Sequence, residues 1–292
     1  MRKMRNIILI FSLGVLIVFA GVRIRESRTS DYVPPVITAE EDALTVSVST
    51  TDADLISGLT ATDNLDGDVT DTIVIASKTK FISRGTLKVN YAAFDNDNNV
   101  GTYSRTVTYS DYVPPHFVIT EPMRFLSGSG SYAYLANVTA TDCLDGDLTR
   151  QIKLNTGTVK AVNDNVTERP VNLQVTNSAG DTSVLSLTAT FEDYGTYNQY
   201  APSLSGYVVY LKAGSFLQPG RYLNGVWSGG NVRAFSASPF DLVTDITVDS
   251  SEVDMNTPGV YTVTYQLYSH GSGDTASREK LGTAELIVIV EG

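Results

Sequence analysis

The sequence predicts an all-β protein made of tandem two-sheet sandwiches that follow a single apolar N-terminal helix. Three observations predict this fold class: a duplicated unit of about 80 residues, strands that alternate apolar and polar residues, and a short apolar leader. Outside the leader, no stretch shows the 3.6-residue period of a helix.

The duplication is visible in two unrelated phrases. Asp31-Tyr-Val-Pro-Pro35 returns as Asp111-Tyr-Val-Pro-Pro115, 80 positions later. Thr62-Asp-Asn-Leu-Asp-Gly-Asp-Val-Thr70 returns as Thr141-Asp-Cys-Leu-Asp-Gly-Asp-Leu-Thr149, at an offset of 79. Because the two offsets agree, one structural module is present twice.

Alternating segments recur throughout the chain after the leader. Clear examples are Leu44–Val48, Leu87–Tyr91, Val171–Val175 and Tyr261–Tyr265. Apolar residues at every second place line one face of a strand, and Gly, Asn and Asp punctuate the segments about every ten residues. Short strands in a unit of this size predict antiparallel β-sandwiches.

The leader, residues 1–28, contains an uncharged apolar run over residues 7–22. As a helix, these 16 residues would span about 24 Å, somewhat short of a hydrocarbon core of about 30 Å. We expect an uncleaved membrane anchor, since Arg23 and Arg25 follow the run closely. A cleaved signal peptide, with Val18 and Ala20 before the cut, is the alternative. Basic residues flank both sides equally, so the predicted outward location of the modules rests on composition.

Composition argues against nucleic-acid binding and favours an extracellular location. After residue 28 the chain carries 15 basic and 31 acidic residues, a net charge of −16, which repels phosphate backbones. Cys143 is the only cysteine, so no intramolecular disulfide can form. A cysteine-poor chain of β modules is typical of a Gram-positive surface.

The order of motifs resembles the bacterial cell-surface immunoglobulin-like domain family, whose modules occur in tandem and are also appended to pesticidal crystal proteins. The resemblance rests on Pro-Pro before an apolar pair, on Ala61-Thr-Asp-Asn-Leu-Asp-Gly-Asp-Val-Thr70, and on a closing Thr-Val-Thr strand. It implies modules at residues 31–109, 111–193 and 200–292, of which the third is divergent. It also implies extracellular display in adhesion or spacing, without catalytic activity.

The two acidic loops are candidates for metal binding. Each places three carboxylates within six residues: Asp63, Asp66 and Asp68 in the first copy, Asp142, Asp145 and Asp147 in the second. Clustered carboxylates suit a hard cation such as Ca²⁺, although the spacing is not that of the helix-loop-helix calcium loop. The alternative is that these acids are turn residues that cap their own backbone around Gly67 and Gly146.

The sequence offers little for catalysis, and we expect the protein not to be an enzyme. His116 and His270 are the only histidines and lie in different modules, where both are expected on the solvated surface. A serine nucleophile elbow, a zinc ligand set and a phosphate-binding glycine loop are all missing from the sequence.

A glycine-rich aromatic segment in the third module, residues 220–231, is a candidate ligand surface. Arg221, Tyr222, Asn224 and Trp227 are the residue types that contact sugars or protein partners. The alternative is that Trp227, the only tryptophan, fills the core of its sandwich.

Three functions remain open at this stage. The first is a membrane-anchored surface adhesin or spacer. The second is an accessory protein that binds carbohydrate or cell wall through the aromatic segment. The third is a chain stiffened by Ca²⁺ at the acidic loops. The longer joint over residues 193–202, which contains Gly195, predicts that the last module swings.

Overall fold

A computed structural model describes residues 11–22, 31–229, 231–235, 240–241, 245–271 and 277–292. The chain divides into two compact units, Met1–Tyr112 and Val113–Gly292, called unit one and unit two below. Both are built mostly of β-strands, as the sequence predicts.

The described part of the leader, residues 11–22, is an α-helix (α1). Residues 7–10 of the predicted anchor lie outside the described residues. Within the described part of the chain, no helix has the length and apolar character that a membrane span requires.

Unit one is a sandwich of a three-stranded and a four-stranded sheet. A short helix, α2 (Asp52–Ile56), connects two of its strands and begins with a capping box in which Thr51 and Asp54 bond each other's backbone. The strands are β1 (Val36–Ala39), β2 (Ala43–Val46), β3 (Leu59–Asp63), β4 (Gly67–Asp68), β5 (Val74–Lys78), β6 (Thr86–Phe94) and β7 (Val100–Tyr109). The sheet orders are β1-β3-β4 and β2-β7-β6-β5.

The first module is not purely antiparallel, because β2 pairs with β7 in parallel. The strand is interrupted at residues 40–42 after β1, and the next strand, β2, joins the opposite sheet. Alternating residues of β6 and β7 fill the space between the sheets, with Val89, Tyr91 and Val107 fully buried. The alternation predicted at Leu87–Tyr91 is therefore confirmed as a core strand.

The described residues of unit two form four sheets. Its strands are β8 (His116–Ile119), β9 (Arg124–Leu126), β10 (Val138–Asp142), β11 (Gly146–Asp147), β12 (Lys153–Thr156), β13 (Lys160–Asn163), β14 (Val166–Thr176), β15 (Thr182–Glu192), β16 (Ala201–Leu204), β17 (Val208–Lys212), β18 (Leu223–Ser228), β19 (Asn231–Arg233), β20 (Ile246–Asp249), β21 (Gly259–Tyr268) and β22 (Lys280–Glu291). The sheet orders are β11-β10-β8, β12-β14-β15-β9 with β13 beside β14, β16-β18-β19, and β17-β22-β21-β20. β9 pairs with β15 and β17 with β22 in parallel, as β2 does with β7.

Most of the described buried apolar residues of unit two form one large cluster that crosses the predicted boundary near residue 200, and a smaller cluster lies around Val226. Phe117 and Val171 belong to the same cluster as Val263 and Leu286. The backbone N–H of Tyr207 donates to the carbonyl of Ile119 at 2.9 Å. The joint predicted to swing contains a helical turn, α3 (Tyr194–Tyr197), capped by the side chain of Asp193.

Candidate functional site: an acidic cluster in unit one

Three aspartates from distant parts of unit one meet in one cluster. Asp31 precedes β1, Asp63 ends β3, and Asp95 follows β6. One carboxylate oxygen from each lies within 4.8 Å of the other two. Asp31 and Asp95 are only 8% and 7% exposed. Among the described residues, no other group of three or more histidine, cysteine or acidic side chains comes together in this way.

Asp63 is held by the turn that follows β3. Its Oδ1 accepts the backbone N–H groups of Leu65 at 2.9 Å and Asp66 at 3.0 Å. Gly67 completes the turn at a φ of 74°, which a residue with a side chain rarely adopts. The hydrogen bonds from Asp66 and Leu65 lower the pKa of Asp63, so this carboxylate is charged at neutral pH.

Asp95 is held by the loop between β6 and β7. The backbone N–H of Asn99 donates to its Oδ1 at 2.7 Å, and the Asn99 side-chain amide donates to its Oδ2 at 2.6 Å. Asn98 takes a positive φ of 67° to close the loop. Asn is among the side chains that tolerate this conformation best, which explains the Asn-rich sequence at this place.

Asp31 is tied to the same loop by its backbone. Its N–H donates to Asp97 Oδ2 at 2.7 Å, and its carbonyl accepts the Asn99 amide at 3.0 Å. Its own Oδ1 accepts the N–H of Val33 at 2.9 Å. These bonds fix the leading segment, residues 31–35, with the Asp31 side chain directed at Asp63 and Asp95.

Two oxygens of the cluster have no donor. Asp31 Oδ2 and Asp63 Oδ2 are buried and accept no hydrogen bond from the described residues. At separations near 4 Å, two unit charges repel by about 4 kcal/mol at an effective dielectric constant of 20. A carboxylate cluster of this kind offers the oxygen ligands that a hard divalent cation prefers.

The structure joins Asp63 to Asp31 and Asp95, not to the other acids of its own loop. Asp66 instead accepts the backbone N–H of Asn96 at 2.8 Å and the Asn96 amide at 2.6 Å. Asp68 Oδ1 accepts the N–H of Thr70 at 3.0 Å. Asp68 thus caps the backbone of its own turn, whereas Asp66 ties that turn to the loop after β6.

The second copy of the loop repeats these turn contacts. Asp145 accepts the N–H and the hydroxyl of Ser178, each at 2.6 Å, and Asp147 accepts the N–H of Thr149 at 2.9 Å. Asp142 accepts the backbone N–H groups of Leu144 and Asp145 together with the side-chain amide of Asn177.

The sequence contains a signal that indicates the cluster. Asp31 opens the first repeated phrase, and Asp95 opens the run Asp95-Asn-Asp-Asn-Asn99. In a sandwich, strand ends and the loops that follow other strands lie at the same edge. Acids at three of these places can therefore meet, although each is 32 positions from the next in sequence.

Unit two also contains a buried acid, but this one has cationic partners. Asp245 is fully buried, and its two carboxylate oxygens contact Arg278 Nη1 at 2.6 Å and His270 Nδ1 at 2.8 Å. Burial alone would raise the pKa of Asp245. The hydrogen bonds from Asp241, His270 and Arg278 outweigh that effect and lower it. His270 therefore has a structural contact that the sequence did not predict.

His116 was expected on the solvated surface, and that expectation is wrong. Its side chain is 23% exposed, and its ring stacks on Tyr210 with 3.6 Å between ring centroids. Nε2 lies 2.9 Å from Glu291 Oε1. Alternation alone did not indicate that β8 would lie beside β17 in the same unit.

The aromatic segment around β18 is only partly at the surface. Trp227 is 7% exposed, and its indole N–H donates to the carbonyl of Tyr197 at 3.3 Å. The indole therefore packs in the interior and does not form an exposed platform. Arg221 and Asn224 are exposed and Tyr222 is half-buried, so the surface near β18 is polar.

Comparisons with known proteins leave the family of this chain open. No known family and no curated protein matches it. The CBM51-2 and INT domains of Clostridium perfringens ZmpB, solved with GlcNAc, are similar at 19% identity and a TM-score of 0.22, over 57% of this chain and 31% of that one. Human CDH23 EC21-23 is similar at 14% identity and a TM-score of 0.22, over 88% and 100%. The protocadherin GammaB4 extracellular domain is similar at 12% identity and a TM-score of 0.19, over 88% and 49%. The chain thus spans less than half of the ZmpB and protocadherin structures.

Proposed function

We propose that the chain is a non-enzymatic protein displayed outside the cell, where its immunoglobulin-like sandwiches act as an adhesin or spacer. In this proposal residues 7–22 hold the protein in the membrane. The acidic surface after residue 28, with a net charge of −16, keeps the displayed part soluble.

The observation that carries the proposal is the repetition of one turn architecture in both copies. Asp66 binds the loop residue Asn96, and Asp145 binds Ser178 in the same manner. The duplicated acids mainly tie turns to neighbouring loops. The residues that characterise the module therefore stabilise its fold. This supports a role in which the repeated fold itself performs the function, by spacing or presenting a surface.

Protease treatment of intact cells tests this proposal. The full-length chain, tagged at its C-terminus, would be expressed in a Gram-positive host. We expect added protease to remove the tag from intact cells while a cytosolic marker survives. A matched variant, Leu13→Lys with Leu16→Lys, interrupts the apolar run and should release the protein from the membrane fraction. A tag that is digested only after lysis would contradict display at the surface.

A second candidate function, binding of carbohydrate or cell wall, is favoured by the exposure of Arg221 and Asn224 beside half-buried Tyr222. Here the ligand would contact these three polar residues, while Trp227 supports the strand beneath them. Binding to purified cell wall should then fall in Arg221→Ala/Asn224→Ala and persist in Trp227→Phe, provided that both variants keep the parent's melting temperature. Unchanged binding in the double variant would exclude this surface.

A further inference from the structure

We propose that Asp31, Asp63 and Asp95 form a divalent-cation site of the Ca²⁺ class in unit one. The site differs from the two acidic loops considered from sequence, with which it shares only Asp63. The proposal does not depend on where the protein is located, so it can fail without affecting the proposed surface display.

The first argument is that buried carboxylate oxygens in the cluster have no partner. Asp31 is more than nine-tenths buried, and its Oδ2 accepts no hydrogen bond among the described residues. Asp63 as a residue is half-buried, but its Oδ2 atom is buried and likewise accepts no hydrogen bond among these residues. A buried acceptor without a donor is unfavourable, and a bound cation would satisfy both oxygens together.

The second argument is a contrast with the other buried acids of this chain. Glu192 pairs with Arg124 at 2.6 Å, and Asp245 pairs with Arg278 at 2.6 Å. Among the ion pairs of the described residues, none includes a member of the cluster. The protein therefore supplies a cation for buried Glu192 and Asp245 and an amide for buried Asp142, whereas it gathers three carboxylates here without a cation.

The third argument comes from the second copy of the module. Asn177 stands where the first copy has Asp95, and its amide donates to Asp142 at 2.9 Å. Asp111, the repeat of Asp31, is bound by Ser47 Oγ at 2.6 Å and Val48 N at 2.8 Å. The second copy thus satisfies Asp142 internally, and we expect it not to bind a cation.

The ligand chemistry selects the class of cation. Carboxylate oxygens are the only ligands that the cluster offers, which disfavours Zn²⁺, whose sites are usually rich in nitrogen or sulfur. Ca²⁺ accepts six to eight oxygens in irregular geometry, whereas Mg²⁺ requires a near-ideal octahedron and gives up its water reluctantly. Three carboxylates from separate segments suit the less demanding ion.

Binding would couple three parts of unit one. One ligand comes from each of three places: the leading segment, the end of β3 and the loop after β6. A bound ion would therefore cross-link these three places. Without the ion, repulsion among the three carboxylates weakens the attachment of residues 31–35. The cation would then control whether the segment that connects the leader to the first sandwich stays docked.

Calorimetric titration and thermal melts of the full-length chain in a non-ionic detergent, at neutral pH, would test the site. We expect one Ca²⁺ per chain with a Kd between about 10⁻⁵ and 10⁻³ M. At ten times Kd, one unfolding transition should rise by on the order of 5–10 °C, and a chelator should reverse the rise. Mg²⁺ should bind more weakly.

Two variants and one matched control locate the site. Asp31→Asn and Asp63→Asn keep an oxygen at Oδ1 for the bonds to Val33, Leu65 and Asp66 but remove one charge. Each should weaken Ca²⁺ binding at least about tenfold and melt no lower than the parent in chelator, since a like charge is gone. Asp142→Asn, the same change in the second copy, should leave the Ca²⁺ response intact.

Three results would overturn the proposal. The first is the absence of binding by Ca²⁺, Mg²⁺ and Mn²⁺ at about 1 mM. The second is undiminished binding in both cluster variants. The third is loss of binding in Asp142→Asn, which would move the site to the second copy.

Discussion

The side-chain amide of Asn177 donates to the carboxylate of Asp142 at 2.9 Å, in the position where the first copy of the module brings Asp95 to Asp63. The two loops are equivalent in their backbone bonds, since Asp95 N donates to Asn99 O as Asn177 N donates to Asp181 O. The loops differ in sequence, and the change from Asp95 to Asn177 at this place replaces repulsion between two carboxylates with a hydrogen bond.

Exchanging this residue between the copies should stabilise the first copy and destabilise the second. Asp95→Asn removes one charge from the cluster and offers Asp63 an amide donor. In the presence of a chelator, it should raise the free energy of unfolding by about 1 kcal/mol, because the relieved repulsion outweighs the lost bond to the Asn99 amide. Urea unfolding followed by circular dichroism measures this difference.

The reverse change, Asn177→Asp, should lower the stability of unit two by about 1–3 kcal/mol, since it leaves Asp142 beside a like charge. A destabilised Asp95→Asn protein in chelator would show instead that the bond to Asn99 dominates the local energetics.

Gly101 is required by the close approach of the leading segment to β7. A Cβ at this position would lie 1.8 Å from the carbonyl oxygen of Pro35, which is backbone and cannot rotate away. Gly101→Ala should therefore destabilise unit one by about 3 kcal/mol and displace the segment that carries Asp31. Differential scanning calorimetry should show one transition lowered. Gly220→Ala, where nothing lies within 4 Å, should change stability by no more than about 0.5 kcal/mol. Equal melting temperatures for both variants would contradict this account.

The strands were predictable because the alternation of apolar and polar residues is a local signal. The direction in which two strands pair is not encoded locally. Leu87–Tyr91 and Tyr261–Tyr265 lie in β6 and β21, as their patterns predict. The parallel pairing of β2 with β7 was not predictable, since alternation is the same in both directions. In the acidic cluster, Asp63 was identified from its repeated loop. Asp31 and Asp95 were missed because their proximity depends on how the strands assemble.

Contacts between β8 and β17 can be tested through Tyr210. Its hydroxyl accepts the backbone N–H of Phe117 at 2.9 Å, and its ring stacks on His116. Tyr210→Phe keeps the ring but leaves that N–H without its acceptor, so unit two should lose about 1–3 kcal/mol in urea unfolding. Tyr194→Phe, at a side chain that is 75% exposed, is the control and should have no measurable effect.

The alkaline pH dependence of Tyr210 gives an independent check. Burial raises its pKa to about 12, so the folded state favours the neutral phenol. The corresponding stability is complete below the unfolded pKa near 10 and is lost as pH rises towards 12. Tyr210→Phe should remove part of the alkaline loss that the parent shows over this range. Identical alkaline profiles would mean that Tyr210 does not contribute to it.

Loss of the Arg278 side chain should strongly destabilise unit two. Its Nη1 lies 2.6 Å from Asp245, which is fully buried, so Arg278→Met leaves a buried carboxylate with one cationic partner fewer. Breaking a buried pair in this way costs about 3–5 kcal/mol. Lys78→Met, which breaks the exposed pair with Asp52, is the control and should cost no more than about 1 kcal/mol.

The same variant should change the response to acid. Because the pKa of Asp245 is lowered in the folded protein, its stabilisation is present above the unfolded pKa near 3.9 and is lost as pH falls through the lower folded value. Without Arg278, burial of Asp245 is less well compensated and its folded pKa rises. Acid unfolding of Arg278→Met, followed by tryptophan fluorescence from Trp227 in the same unit, should therefore begin at a higher pH than in the parent. If both proteins unfold at the same pH, the contact of Asp245 with His270 and the backbone suffices to keep the carboxylate charged.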